Sequence, residues 1–404
     1  MKLGIIGGGA SGMAAALAAA EDTTTEVILL ERQARVGKKL SATGNGRCNL
    51  TNLHAMEGGY HGEDPAFMGP AMEAHPVEET LAWFRSLGLY TVCEDSGRVY
   101  PYSDQAGSVV DVLRFALDRP NIQLKTGFEV EKVRKTPEGF VLTGRGETIT
   151  VDRLIIACGG LAGTRLGGGM FGYRFLRGFG HHCTRLRPTL VQIKTDWPGI
   201  SALKGVRANC RATILKDGEV FAESRGEMQF TEMGFSGPVM FEISRDVCQE
   251  KGSWVCRLDF LPDMDGETLE QALLSRRSGN LTAGDLFAGI LHSRLGKVLI
   301  KNADLTENQR VSDLSEGEIR SAAWWAKHFE AGLTEPLGMD AAQVTAGGIL
   351  TDEFDPRTLE SRLVPGLYAC GEVLDIDGDC GGYNLQWAWS SGRLAGSHAG
   401  KESI

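Results

Sequence analysis

A chain of 404 residues with 42% hydrophobic content and 53 glycines is long enough for two or three domains around sizeable α/β cores. Its net charge of −10 argues against a general nucleic-acid surface or a surface for anionic membranes, because both need basic faces. No apolar run approaches the roughly 20 residues of a membrane span, and nine scattered cysteines without a C-x-x-C predict reduced cytoplasmic thiols rather than a disulfide scaffold or a zinc site.

An apolar strand over Leu3–Ile6 runs into Gly7-x-Gly9-x-x-Gly12. A helix is predicted over Met13–Ala20, and a second strand, Val27–Leu30, ends on Glu31. Because the chain opens on that strand, no signal peptide is expected, in keeping with a cytoplasmic location. The order strand–turn–helix–strand–acid, with the acid roughly 20 residues on, is the dinucleotide-binding fingerprint in its required context. Gly7 permits the tight turn, Gly9 lets the backbone approach a pyrophosphate, and Gly12 lets the helix pack closely on the strand. The helix start, with Ala10 and Ser11, offers free N–H groups and a partial positive charge to phosphate. Glu31, followed by Arg32, can accept a hydrogen bond from a ribose hydroxyl. An adenine dinucleotide is implied.

Residues 37–52 form a polar, glycine-rich, basic loop directly after the ribose acid. Simple nicotinamide dehydrogenases usually continue with another helix here, whereas in FAD-dependent folds this loop runs along the phosphates and ribityl chain. Lys38, Lys39 and Arg47 can balance phosphate charge, and Ser41, Thr43 and Asn49 can serve ribityl hydroxyls, with Gly44 and Cys48 in the same segment. Arg47, Cys48 and Asn49 are the side chains expected nearest the reacting ring. Cys48 itself reads as a packed small residue, having no partner cysteine nearby.

The chain then alternates helix (Val77–Leu87), strand (Gly97–Tyr100), helix (Val109–Asp118) and strand (Ile122–Thr126). Phe128–Val133 and Gly139–Thr143 read as a β-meander. Val151–Ala157 reads as a buried strand that closes on Cys158, Gly159 and Gly160. The glycine-rich Gly163–Gly169 lacks the context of a second fingerprint and reads as a connection. His181 and His182, adjacent on a strand, should point to opposite faces and so read as surface residues. From Thr189 the texture becomes alternating strands (Val191–Lys194, Ala208–Leu215, Glu219–Glu223, Val255–Leu261), suited to a small antiparallel barrel or sandwich. From Glu267 it becomes amphipathic helix through about Gly332, and Gln343–Ile349 returns to the nucleotide fold.

Near the C-terminus a strand (Leu367–Cys370) leads through Gly371, Glu372 and an acidic loop to Gly381 and Gly382, then a helix from Tyr383 to Ala395. This second glycine turn suits the flavin end. The helix start, with Gly381, Gly382, Tyr383, Asn384 and Leu385, would face the flavin pyrimidine, where negative charge develops on reduction. Glu372, Asp375 and Asp377 are candidates for ribityl or ribose hydroxyls. A Mg²⁺ or Ca²⁺ loop competes weakly, since the spacing does not match an EF-hand; no metal is expected. Trp324, Trp325, Trp387 and Trp389 could line an apolar pocket, but core packing is the simpler account.

Four segments together, Gly7–Gly12, Thr43–Asn52, Val344–Ile349 and the C-terminal Gly371-Glu372…Gly381-Gly382-Tyr383-Asn384-Leu385-Gln386 block, resemble one family end to end. It is the bacterial FAD flavoproteins that include aminoacetone oxidase and the BaiN-like bile-acid reductases. The resemblance implies noncovalent FAD in a Rossmann-like α/β domain of the glutathione-reductase type, interrupted by a two-part insertion. By the same analogy the adenine would lie near Val130, and Ala157, Gly159 and Gly160 would close on the cofactor.

The expected architecture is one FAD domain over residues 1–188 and 342–404, an antiparallel β insertion over 189–262 and a helical insertion over 263–341. The expected activity is hydride transfer through the flavin: reduction of an activated C=C bond in a small molecule, fed by NAD(P)H that visits transiently. Alternatives are an amine oxidase of the aminoacetone type that uses O₂, and an FAD-binding RNA-modification or assembly protein with little turnover. A basic stretch (Arg174, Arg177, Arg185, Arg187, Lys204, Arg207, Arg211) keeps the last open against the acidic net charge. Substrate identity and oligomeric state are not readable.

Overall fold

Four short apolar runs, buried along most of their length, and one partly exposed edge strand of alternating polarity assemble into one parallel sheet. They are β1 (Lys2–Ile6), β2 (Glu26–Glu31), β3 (Ile122–Thr126), β4 (Arg153–Ile156) and β5 (Leu367–Ala369), and their spatial order is β5-β4-β1-β2-β3. Every neighbouring pair is parallel. The chain builds outward from β1 through β2 to β3, then returns to the other side of β1 with β4. The carboxyl ends of β1 and β4 therefore flank the point where the winding reverses, where such sheets bind ligands. The computed structural model describes residues 1–401.

Helix α1 (Ala10–Ala19) follows β1 and is buried on nearly every side. Its alanines let it lie directly against α2 (Tyr383–Ala399). On α2, Gly392 and Gly396 are four apart and so share a face. A Cβ at Gly392 would sit 2.4 Å from the Ser11 carbonyl oxygen, and one at Gly396 would sit 2.2 Å from that of Ala15. The two ends of the chain are thus joined backbone to backbone.

Some boundaries differ from expectation. Helix α1 begins at Ala10 rather than Met13, so Ser11 and Gly12 form its first turn. The meander consists of Lys132–Thr136, Gly139–Gly144 and Glu147–Val151, and Phe128–Val130 lies outside it. The expected strand Val151–Ala157 is two elements: Val151 pairs antiparallel with Phe140, and the chain then enters β4 at Arg153. A continuous apolar run hid the change of sheet.

The chain divides into two compact units, Met1–Pro188 with the chain from Met339 on, and Thr189–Gly338. The second unit holds a closed six-stranded barrel in the order Ile193–Thr195, Gly234–Ser236, Glu219–Phe230, Arg207–Lys216, Trp254–Asp259, Phe329–Pro336. This corrects the expected split at 262/263. Phe329–Pro336, inside the stretch read as helical, supplies a barrel strand, and Pro238–Gln249, inside the stretch read as β, is a helix. Phe230, Phe235, Phe260 and Phe329 share one core with the helices Gly266–Leu274, Ser293–Asn302 and Glu316–Lys327, so the two textures fold as one body. The strand's own alternation, buried Phe329, Ala331 and Leu333 against polar neighbours, was masked by the helix before it. No described helix is long and apolar enough to cross a membrane.

Candidate cofactor site

The first glycine turn is closed by steric necessity. Gly7 has φ +113°, and a Cβ there would lie 2.3 Å from the Ala157 oxygen; one on Gly12 would lie 1.8 Å from the Gly7 oxygen. Gly9, by contrast, faces open space, as does Gly159 at the end of β4. No side chain caps α1 and no acid lies in its first turn, so its N–H groups and positive end are available to an anion. The Glu31 carboxylate accepts from the backbone N–H of Gly8 at 2.8 Å and of Gln33 at 2.7 Å, which fixes it at the carboxyl end of β2.

Beside Glu31 a cleft opens at the carboxyl ends of β1, β2 and β4. Its walls include Arg32, Phe128, Val130, Cys158, Gly167 and Phe171. Arg32 donates to the Gly167 oxygen at 2.7 Å, and its guanidinium lies 4.3 Å from the centre of the Phe171 ring. The segment Gly163–Gly169, read from sequence as a mere connection, therefore reaches this cleft. Phe171 and Gly167 were not foreseen. The only signal for them was a glycine-rich stretch without a strand–acid context.

The second turn is closed by long-range hydrogen bonds. Gly381 and Gly382 have φ +126° and +106°, and Gly382 caps the start of α2. A Cβ on Gly382 would lie 2.4 Å from the carbonyl carbon of Thr51. Asn52 Nδ2 donates to the Gly381 oxygen at 2.9 Å, Thr51 Oγ1 to Gln386 Oε1 at 2.6 Å, and Trp389 Nε1 to the Leu50 oxygen at 2.9 Å. Asn384 clasps Gly378 with both ends of its amide. The segment Thr43–Asn52 is thereby fastened to the helix start, with Leu385 in its first turn.

Within that segment Gly44, Asn45, Gly46 and Cys48 all take positive φ. This sharp path buries Cys48, whose thiol burial pushes up to about 12, so it is packing and not a reactive thiolate. Asn49 Oδ1 is buried without a hydrogen-bond partner.

Several expected contacts are engaged elsewhere. Lys39 pairs with Glu372 at 2.6 Å, and Glu372 also accepts from the Thr345 N–H. Both charges are committed to joining the first loop to Gly371, so Lys39 is not a free phosphate cation. Arg47 pairs with Glu94 and Asp104 and stacks 3.9 Å from the centre of the Tyr100 ring. Lys38 reaches Gln33, while the Ser41 and Thr43 hydroxyls donate to the carbonyls of Lys38 and Leu40. Asp375 and Asp377 are buried, and Asp375 accepts from the Glu63 N–H at 3.2 Å, so Asp375 ties that segment to the acidic loop. Gly160 has Glu372 and Thr345 immediately beside it, leaving no free space.

Trp387 and Trp389 are core residues, while Trp324 is half exposed and stacks on His328. His181 is buried and His182 exposed, yet both rings bind the same carboxylate, Glu353, at 2.9 and 2.6 Å. The predicted opposite facing hides a shared acid that sequence distance conceals. Among the described residues no group of three or more His, Cys, Asp or Glu is placed to hold a metal ion. The expected basic stretch divides: Arg174, Arg177, Arg185 and Arg187 belong to the first unit, while Lys204 and Arg207, in the second, pair with Glu232 and Glu227.

The residues present fit an FAD. There is open space over Gly9 and Gly159, a cleft beside Glu31, and a buried acceptor on Asn49 lacking a donor.

Residues 1–398 match the family model described as HI0933-like protein Rossmann domain. The chain is 40% identical over 404 residues, 98% of each chain, to the 3-dehydro-bile acid delta(4,6)-reductase of Clostridium scindens. It is 32% identical over 372 residues, 90% of each chain, to the ribosomal RNA dihydrouridine synthase of Escherichia coli. A solved 3-ketosteroid delta1-dehydrogenase from Sterolibacterium denitrificans shares the fold with a TM-score of 0.51, over 98% of this chain and 99% of that one, at 14% identity.

Proposed function

The chain belongs to the HI0933-like family and is an FAD-dependent oxidoreductase, and from that premise we propose that it reduces a C=C bond conjugated to a carbonyl in a small organic molecule, with NAD(P)H as a transient electron donor. The observation that carries this reading is the 40% identity to the Clostridium scindens reductase along 98% of both chains. The name of the Escherichia coli relative points to the same chemistry, since dihydrouridine is uridine saturated at the double bond conjugated to its ring carbonyl.

FAD would be held noncovalently on residues 1–188 and 342–404. Gly7, Gly9, Ala10, Ser11 and Gly12 would take the pyrophosphate, Glu31 the adenosine ribose, and Arg32 and Val130 the adenine. Asn49, Gly381, Gly382, Asn384 and Leu385 would border the flavin. When bound, FAD supplies the hydride. The protein's share is to offer N–H donors where negative charge develops and to keep carboxylates such as Glu372 and Asp375 engaged by Lys39 and by backbone N–H groups.

Anaerobic stopped-flow mixing tests the reaction. NADH or NADPH should bleach the flavin, and an enone should then restore its colour without oxygen. Bleaching by a primary amine instead, with peroxide formed in air, would replace this reading by an amine oxidase.

A second reading, action on RNA, is favoured by one feature. Residues 153–188 carry six arginines and no acid, and Arg165, Arg174, Arg177 and Arg185 among them are exposed. Salt-dependent retention of RNA by the purified protein would distinguish it.

A further inference from the structure

Two arginines stand at the far end of the first unit, and the nearby carboxylates are shared between them very unequally. Arg47 holds both Glu94 and Asp104. Arg98 opens the strand Arg98–Pro101 and lies directly across from Glu94, whose N–H donates to the Arg98 carbonyl. The Glu94 side chain nevertheless turns to Arg47. Arg98 is half-buried and makes no side-chain hydrogen bond or ion pair among the described residues. A buried or half-buried charge is normally paired, because desolvation otherwise goes uncompensated.

Its position is also specific. Arg98 pairs in register with Asn52, whose amide holds the Gly381 carbonyl. A Cβ on Gly381 would meet Arg98 Nε at 3.0 Å, so glycine at this position is what lets the guanidinium lie along the second turn. The charge is felt by the neighbouring phenols of Tyr100 and Tyr383, where it works against the burial that raises both.

We propose that Arg98 is a catalytic residue that binds the carbonyl oxygen of the substrate at the flavin end. This inference rests on the enone-reduction reading above. When a hydride and its electron pair add to the β-carbon of an enone, the π pair of the C=C bond shifts and charge collects on the carbonyl oxygen as an enolate. The α-carbon then takes a proton from water. A guanidinium fork already free of carboxylates stabilises that oxygen more in the enolate than in the ketone, which is the condition for acceleration. Of the exposed cations, Arg174, Arg177 and Arg185 lie elsewhere in the chain and face bulk water.

The test uses the oxidised holoenzyme and 4-cyanophenolate, a planar conjugated oxyanion that mimics an enolate, titrated by the change in the flavin absorption band. Wild-type protein should bind it. Arg98→Met should bind on the order of tenfold to a hundredfold more weakly, as expected for loss of a hydrogen bond to a charged group. Arg98→Lys should lie between, and both variants should keep full FAD content and an unchanged thermal midpoint. Equal phenolate affinity in Arg98→Met and wild type would overturn the proposal while leaving the reaction reading intact. So would unchanged phenolate binding with weakened formation of the anionic sulfite adduct, since the cation would then serve the flavin instead. If wild-type protein neither binds the phenolate nor reduces an enone, the reaction reading itself falls, and the inference with it.

Discussion

The two glycine turns of the first unit share backbone crowding but differ in what else holds them. The turn at Gly7–Gly12 is set by backbone crowding inside the fingerprint, where the Gly7 oxygen leaves no room for a Cβ on Gly12. The turn at Gly381–Gly382 is crowded as well, against the Thr51 carbonyl, but it is also fastened by the side chains of Asn52 and Thr51, more than three hundred positions away. Crowding against a backbone carbonyl tolerates no substitution, because the obstacle cannot rotate away. A hydrogen-bonded clasp loses strength one bond at a time. Substitution of a crowded glycine should therefore act abruptly, and loss of a clasping hydrogen bond by degrees.

The largest expected effect breaks the first turn. Gly12→Val forces side-chain atoms into the Gly7 carbonyl 1.8 Å from where Cβ would stand, so α1 must move off β1. A cost at or beyond the upper end of about 1–3 kcal/mol is expected for such overpacking, and FAD should be absent from the purified protein. Thr51→Val at the second turn removes one hydrogen bond and leaves Gln386 Oε1 unpaired, at about 1–3 kcal/mol. That variant should keep FAD but lose it faster on dilution. Flavin-to-protein ratios after gel filtration measure both. Equal loss in the two variants would erase the distinction.

The same difference explains what the sequence disclosed. The fingerprint was readable because its geometry is local: spacing alone fixes the turn, the helix start and Glu31. The second glycine pair was also visible, but its fastening was not, because nothing near Thr51 or Asn52 in the sequence marks them as partners of α2. Charge was the least legible. Lys39 and Arg47 looked like phosphate cations until Glu372, Glu94 and Asp104 folded against them, and no motif marked Arg98 beside the second turn. The barrel strand Phe329–Pro336 was hidden for a different reason, since helical periodicity ran up to its edge.

A smaller effect sharpens the comparison at the adenosine end. Glu31 does two things there: it ties the Gly8 and Gln33 N–H groups, and in the proposed complex it accepts from the ribose. Glu31→Arg should weaken FAD retention on the order of 1–3 kcal/mol, the range for a hydrogen bond to a charged group. The second glycine turn should be untouched, so the variant reloaded with excess FAD should recover the wild-type absorption spectrum. FAD titration of the apoprotein by fluorescence quenching gives the shift. Unchanged affinity would remove Glu31 from the cofactor's contacts.

The smallest effect lies in the loop that leads into β5. Ser361 Oγ accepts from the N–H groups of Leu363 and Val364, so its own proton points to His181 Nε2, 2.9 Å away. His181 is therefore neutral with its proton on Nδ1, donated to Glu353. Protonating Nε2 would set an N–H against that hydroxyl, and burial already holds the His181 pKa below the ordinary 6.5. A depressed histidine pKa means that the unfolded chain takes up the proton first. The contribution is thus fully present above pH 6.5 and declines as pH falls from there toward the folded value. Glu353 adds a loss in the same direction at lower pH. Burial raises its pKa, but the hydrogen bonds it accepts from His182 and His181 outweigh that and hold it below the ordinary 4.5. The thermal midpoint should therefore fall more steeply below pH 6.5 in wild-type protein than in His181→Gln, which keeps a polar side chain but cannot take the proton. Parallel midpoint-versus-pH curves for the two proteins would show that this buried histidine does not bias the loop.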